Sequence, residues 1–220
     1  MVMLSKKVVS WLIVISFLVV GTAFAASKKA TQTAKTLDRI VAVVNDDVIM
    51  ESELQQKTAI AKQQLQHSNM AVPGDAALRS QVLNSIIDMN LQLQVAKKAN
   101  LEVSAQELNK VLANIAAQNK MTLANFQEEL ARENINYNDF REQIHNQMLV
   151  NRVQQEVLGK KINVSEEEIA AYIKKHNIKS ATPGKAQKIA WEALYRPKFE
   201  EGVKKWIKEL RGTSYIKIMR

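Results

Sequence analysis

The chain contains no cysteine. A disulfide framework and a thiolate nucleophile are thereby excluded; an oxidising compartment is allowed but not used for stapling. Glycine is scarce, six in 220 residues, and none belongs to a G-x-x-x-x-G-K-[ST] phosphate loop. That excludes an ATP-driven machine of this type. The three histidines, His67, His145 and His176, are scattered. Glu142 and His145 stand three apart on one expected helix, and such a lone pair reads as a solvated surface contact rather than a metal site. The acidic run Ser165 to Glu168 reads as a helix N-terminus whose carboxylates complement the dipole. No catalytic constellation emerges, and no cofactor or metal is expected. No apolar run reaches the roughly 20 residues needed to span a membrane as a helix. Repeats and low-complexity tracts are also absent.

The longest apolar run is Val8 to Val20, thirteen residues, preceded by Lys6 and Lys7 and followed by an Ala23-x-Ala25 pattern. This is the layout of a secretory signal peptide, expected to be cleaved after Ala25. Removing the first 25 of 220 residues leaves 195, which suits one domain with an appendage and a core that needs no staple. Residues 26–36 are polar and aperiodic and read as a disordered tail. The whole chain carries 31 Lys and Arg against 22 Asp and Glu. Because the lysines alternate with acids, as in Lys198 to Glu209, the surplus reads as solvated helix faces rather than a nucleic-acid stripe, and no nucleic-acid partner is expected.

Two short β-branched runs, Ile40 to Val44 and Val48 to Met50, flank Asn45-Asp46-Asp47 and predict a β-hairpin. Beyond it nearly everything reads as helix. One helix is expected to begin near Ser52, with Gln55 as capping-box partner. Pro73-Gly74 marks a loop, after which Asp75 caps a long helix to about Lys98, with Leu78, Val82, Ile86, Met89, Leu93 and Ala96 on one stripe. Capping boxes are expected at Ser104/Glu107 and Ser165/Glu168, and simpler caps at Thr122 and Asn136. The helices then run over about 104–118, 123–133, 137–158 and 166–176. Their buried stripes are Leu108/Val111/Leu112/Ile115, Phe126/Leu130 and Phe140/Ile144/Met148.

Lys179 to Gln187 reads as a short loop. A helical stretch with Ile189, Trp191 and Leu194 follows, and Pro197 is expected to break or kink it. Phe199, Val203, Trp206, Ile207 and Leu210 form another stripe, which Gly212 is expected to end. Ser214 to Met219 alternates as a strand. An isolated hairpin is barely stable, so the economical fold pairs this last strand with Ile40 to Val44. The expected class is mainly α: a helical bundle with a small N-terminal β-hairpin joined by a C-terminal strand into a three-stranded sheet. Trp191 and Trp206 would be buried anchors.

An exported, basic, cysteine-free helical chain with many apolar faces and no reaction chemistry favours binding. The candidate peptide-binding residues are apolar or soft side chains around the helix starts: Ile115, Met121, Leu123, Phe126, Tyr137 and Phe140.

Three stretches, "DRIVAVVNDDVIMESEL", "NIAAQNKMTLANFQEELARENINYNDFREQI" and "RPKFEEGVKKWIKELRGTSYIKIM", resemble the SurA family of periplasmic chaperones. With the helices between, the similarity covers nearly all of Leu37 to Met219. The resemblance implies an N-terminal chaperone domain over 37–178, with C-terminal helices and strand, 188–220, returning to it. Two departures stand out. Family members commonly carry glycine in the hairpin turn where this chain has Asp47, which puts the turn geometry in doubt. Members also usually carry parvulin-type prolyl isomerase domains between the modules, whereas only the nine residues of 179–187 lie there. Even a small domain needs on the order of 50 residues, so the isomerase is expected to be absent.

The resulting expectation is a periplasmic holdase, independent of ATP and not an enzyme. It would bind unfolded outer-membrane β-barrel precursors in an apolar groove between the N-terminal bundle and the C-terminal helix, with no stable membrane insertion after signal cleavage. The alternatives are a peptidyl-prolyl isomerase with an unrecognised site, and an envelope assembly factor with one folded partner.

Overall fold

Asn45 and Asp46 make the turn of the hairpin between β1 (Ile40–Val44) and β2 (Asp47–Met50). The computed structural model describes residues 38–133, 135–178 and 183–219. The expected signal peptide and tail lie outside them. The described chain forms two compact units, one from 38–87 with 215–219, the other from Asp88–Ser214.

In the first unit β1 and β2 pair antiparallel, with Val43 opposite Val48, Val44 opposite Asp47, and an irregularity between Ile40 and Ala42. β3 (Ile216–Ile218) pairs antiparallel with the other edge of β1, giving the order β2-β1-β3. The hairpin's missing partner is therefore the C-terminal strand. The left-handed turn residue is Asn45, at φ 53°, while Asp47 already lies in the strand. Glycine is not required at 47, because asparagine tolerates the one positive φ. Asn45 also accepts the Tyr215 N–H on its Oδ1 at 2.9 Å, and its own N–H donates to the Tyr215 carbonyl at 2.8 Å.

The helix α1 (Glu51–His67) follows directly. The expected Ser52/Gln55 capping box does not form: Met50 stands at the cap position with no side-chain bond. Asp38, before β1, does the capping instead. Its carboxylate accepts the Ser52 N–H at 3.0 Å and the Ser52 hydroxyl. Gln55 turns to Glu51, donating at 2.8 Å. Glu51 is the hub of this end of the helix. Arg79, on α2 (Asp75–Lys98), grips both its oxygens at 2.7 and 2.8 Å, and Arg39 adds a bond at 3.1 Å. Led by Arg79 and then Gln55, these donors hold the Glu51 carboxyl down at about 2. Val41, Ala42, Val44, Ile49, Leu54, Ile86 and Ile87 form the core.

The second unit takes the rest of α2 and adds α3 (Ala105–Gln118), α4 (Leu123–Arg132), α5 (Tyr137–Leu158), α6 (Glu166–Lys175) and α7 (Pro183–Thr213). Its starts follow the expected chemistry. Ser104/Glu107 and Ser165/Glu168 are complete capping boxes; Thr122 accepts from the Asn125 N–H, and Asn136 from the N–H groups of Asn138 and Asp139. The buried band of α2 is broader than the single stripe expected, adding Leu83, Ile87, Leu91 and Gln92 to Leu78, Ile86 and Ala96. Gln92 is satisfied inside, accepting from Gln154 of α5 at 2.7 Å and donating to the Asp88 carbonyl at 2.9 Å.

Helix ends use a device the composition forces. Asn69, Asn100, Lys120 and Asn177 each adopt positive φ just past α1, α2, α3 and α6. In each case the following N–H reaches back to close the last turn, as from Met70 to Leu65 and from Leu101 to Ala96. These are Schellman closures made without glycine.

Three expectations for the C-terminal region are corrected. The loop over 179–187 is shorter, since α7 already begins at Pro183. Pro197 does not break the helix, which runs through it for 31 residues. The proline faces solvent, where water can satisfy the carbonyl left without its usual donor, and side chains on both sides of it pack. Gly212 does not end α7 either; it has no positive φ and the helix continues to Thr213.

Candidate functional site

Helices α3, α4 and α5 pack against one another, and the candidate residues all lie on them or on the turn between α3 and α4. Phe126 of α4 and Phe140 of α5 meet edge to face, ring centroids 5.6 Å apart, and both are buried. They form the cluster's core and present no ring face to a ligand. Ile115, Met121, Leu123 and Tyr137 remain half-buried. Met121 is fixed by its N–H, which donates to the Ala116 carbonyl as part of the α3 closure. The set thus divides into two pegs that hold the shape and four side chains that keep exposed apolar surface.

The start of α3 is locked to α5. Glu107 closes the capping box on the Ser104 N–H at 2.9 Å and accepts from Arg152 at 2.7 Å, while Arg152 also donates to the Glu102 carbonyl. The Ser104 backbone bond, then Arg152, holds the Glu107 carboxyl at about 2. A similar lock joins α6 to α7. Lys198 donates to both Glu168 oxygens at 2.7 and 2.8 Å and to the Asn163 carbonyl at 2.9 Å, and it is the main reason the Glu168 carboxyl lies below its ordinary range.

The most open apolar feature of this unit was not expected. Trp191, Tyr195 and Phe199 follow one another at helical spacing on α7 and stack as a ladder, with centroids 4.5 and 5.6 Å apart. Trp191 is 41% exposed; Ile189, two residues earlier and on a different face of the helix, is 42% exposed. Trp191 is therefore not the buried anchor expected, and Trp206 is only half-buried. The i, i+4, i+8 spacing could have found the ladder. Reading Pro197 as a helix break hid it, because a break separates Phe199 from the other two.

One open concavity of about 450 Å³ is lined by Lys161, Ile162, Asn163, Lys198, Glu201, Gly202 and Lys205. Another, about 390 Å³, lies between the end of α2 and α5 around Leu93, Leu101 and Leu149. The first is lined mainly by charged and polar side chains, the second by a mixture of leucines and polar groups. Among the described residues no group of three or more His, Asp or Glu is placed to hold a metal, and no helix is long and apolar enough to cross a membrane. Both concavities are open to solvent rather than enclosed.

Known proteins resemble this chain in sequence and fold. Chaperone SurA of Legionella pneumophila is 36% identical over 154 residues, covering 70% of this chain and 34% of that protein. Chaperone SurA of Hahella chejuensis is 38% identical over 143 residues, covering 65% and 33%. The chain thus spans about a third of the length of these curated relatives. A solved chain from work on two structurally related SurA-like chaperones of Campylobacter jejuni shares the fold, with a TM-score of 0.50 at 12% identity, covering 82% of this chain and 99% of that one. Residues 37–154, more than half of the sequence, match the SurA N-terminal domain, and the chain belongs to that family.

Proposed function

We propose that this protein is a periplasmic holdase, independent of ATP, that shields unfolded segments of outer-membrane β-barrel precursors. The observation that carries the reading is the stacked ladder of Trp191, half-buried Tyr195 and half-buried Phe199 on α7, open to solvent at Trp191, in a chain whose curated relatives are named chaperones. Barrel strands alternate apolar and polar residues and must be shielded in water. Aromatic rungs suit such clients, because they supply area and stacking without demanding one sequence. The shallowness of the surface suits release without an energy source, since modest burial keeps affinity low.

Holding rather than isomerisation is supported by the chain between α6 and α7. Only residues 176–182 separate the two helices, too few for a catalytic domain. Export is supported by Lys6, Lys7, the apolar run to Val20 and Ala23-x-Ala25. Intact mass of the protein recovered from the periplasm is expected to begin at Ala26; retention of residues 1–25 refutes the cleavage.

The functional test is light scattering of a refolding β-barrel protein. A stoichiometric amount of this chain is expected to suppress aggregation, while a proline-peptide isomerisation assay stays at the uncatalysed rate. Unchanged scattering counts against the holdase and favours an assembly factor with a folded partner. Acceleration of the peptide reaction restores the enzyme reading.

A further inference from the structure

β3 has β1 on one side and, among the described residues, no strand on the other. The direction of its backbone groups follows from its bonds. The Met219 N–H donates to the Val41 carbonyl at 2.9 Å, and the Tyr215 carbonyl accepts the Asn45 N–H at 2.8 Å. Tyr215, Lys217 and Met219 therefore face β1. In an antiparallel ladder the alternate residues face the other way. The N–H and C=O groups of Ile216 and Ile218 thus point outward along an open edge. The side chains there are apolar and exposed, Tyr215 by 60% and Ile218 by 50%. An open edge of this kind is a template for another strand.

Charge decides which strand. Lys217 lies opposite Val43, which lies opposite Val48, so its cross-strand row contains no acid. In the antiparallel register of two copies that uses both outward residues of each, Ile216 of one exchanges bonds with Ile218 of the other. That register sets Lys217 directly against Lys217, which is destabilising. A second copy is disfavoured in the register with the most backbone bonds, and a strand bringing a carboxylate to that position is favoured.

We propose that the outer edge of β3 accepts an extended segment of unfolded polypeptide as a fourth strand. It selects segments with an acidic residue opposite Lys217 and apolar residues on both sides of it. This rests on the holdase reading and adds to it a backbone-directed contact with a sequence preference.

The test uses the full mature chain and a labelled peptide, Thr-Tyr-Val-Glu-Val-Tyr-Thr, followed by fluorescence anisotropy. Its central Glu would face Lys217, and its two valines would exchange bonds with Ile216 and Ile218. Replacing the central Glu by Lys is expected to weaken binding about fivefold. The exposed-site variant Lys217→Glu is expected to reverse that order. N-methylation of both valines is expected to weaken binding at least tenfold, since it removes the outward-matched donors. Binding indifferent to charge and to N-methylation overturns the proposal, as does a dimer in sedimentation that the peptide dissociates. Aggregation suppression is measured on the same preparations. Suppression without peptide selectivity overturns the edge site alone. Selectivity without suppression supports the edge site and overturns the holdase reading.

Discussion

Cutting the chain after Thr213 removes β3 while leaving every residue of α7 in place. β1 then loses one neighbour along its whole paired length. The bonds from Asn45 to Tyr215, from Met219 to Val41 and from Tyr215 to the Asn45 side chain all disappear. At about 1 kcal/mol net for each, these amount to about 3 kcal/mol. Ala42 and Val44, fully buried in the intact chain, lose part of their cover, adding about 1 to 2 kcal/mol. The residues no longer ordered regain chain entropy, which offsets part of this. The expected net loss is about 2 to 4 kcal/mol. Urea denaturation measures it, and hydrogen exchange localises it. The Val43 and Asn45 amides face β3 and are expected to exchange faster by a factor matching the lost free energy, while the α3–α5 cluster changes little. A full-length control, Tyr215→Ala, is expected to cost under about 1 kcal/mol because that ring is mostly exposed. Unchanged protection at Val43 and Asn45 after truncation refutes the reasoning, since it means that β3 does not stabilise β1.

Three further outcomes are expected. Trp191→Ala should lower stability by under about 1.5 kcal/mol, against the 3 to 5 of a buried tryptophan, yet reduce aggregation suppression by half or more; a stability loss of 3 kcal/mol or greater would place Trp191 in the core. Because Glu51 and Glu107 lie at about 2 when folded and near 4.5 otherwise, their stabilisation is full above pH 4.5 and is lost as pH falls toward 2. The double variant Glu51→Gln/Glu107→Gln should flatten that slope in acid denaturation, and an unaltered slope would assign it to other carboxylates. Lys120→Gly should raise the thermal midpoint by the equivalent of about 0.5 kcal/mol, because lysine pays the left-handed penalty at φ 59° that glycine does not; a lower midpoint would show that the lysine side chain contributes more than the backbone strain removes.

Features set within a few residues were the ones legible in the sequence. A hydroxyl or amide at the cap position and its partner two or three residues on decide a helix start, so Ser104, Thr122, Asn136 and Ser165 were identified correctly. The start of α1 is not legible locally because its cap is Asp38, fourteen residues before Ser52 and on the far side of the hairpin. Helix ends were obscured for a related reason: the signal sought was glycine, and the chain uses Asn69, Asn100, Lys120 and Asn177. The sheet was foreseen because a lone hairpin needs a partner and only one other segment alternates. At the candidate site, period alone marked Phe126 and Phe140 as apolar face residues, but their burial depends on how three helices meet. The α7 ladder was lost to a local rule, helix breaking by proline, that the packing of a 31-residue helix overrides.

The position of β1 between β2 and β3 has a consequence for how the protein is made. β2 leaves the ribosome within a few residues of β1, but β3 leaves about 170 residues later. Until then one side of β1, including the Asn45 N–H and the Val41 carbonyl, has no strand to meet it. Closing so long a loop is slow, and its entropy is recovered only when the final strand docks. The sheet is thus completed only after the helices from α3 to α7 have been made, although its first strand is synthesised early, and a nascent chain carrying 38–87 stays loosely held until β3 emerges.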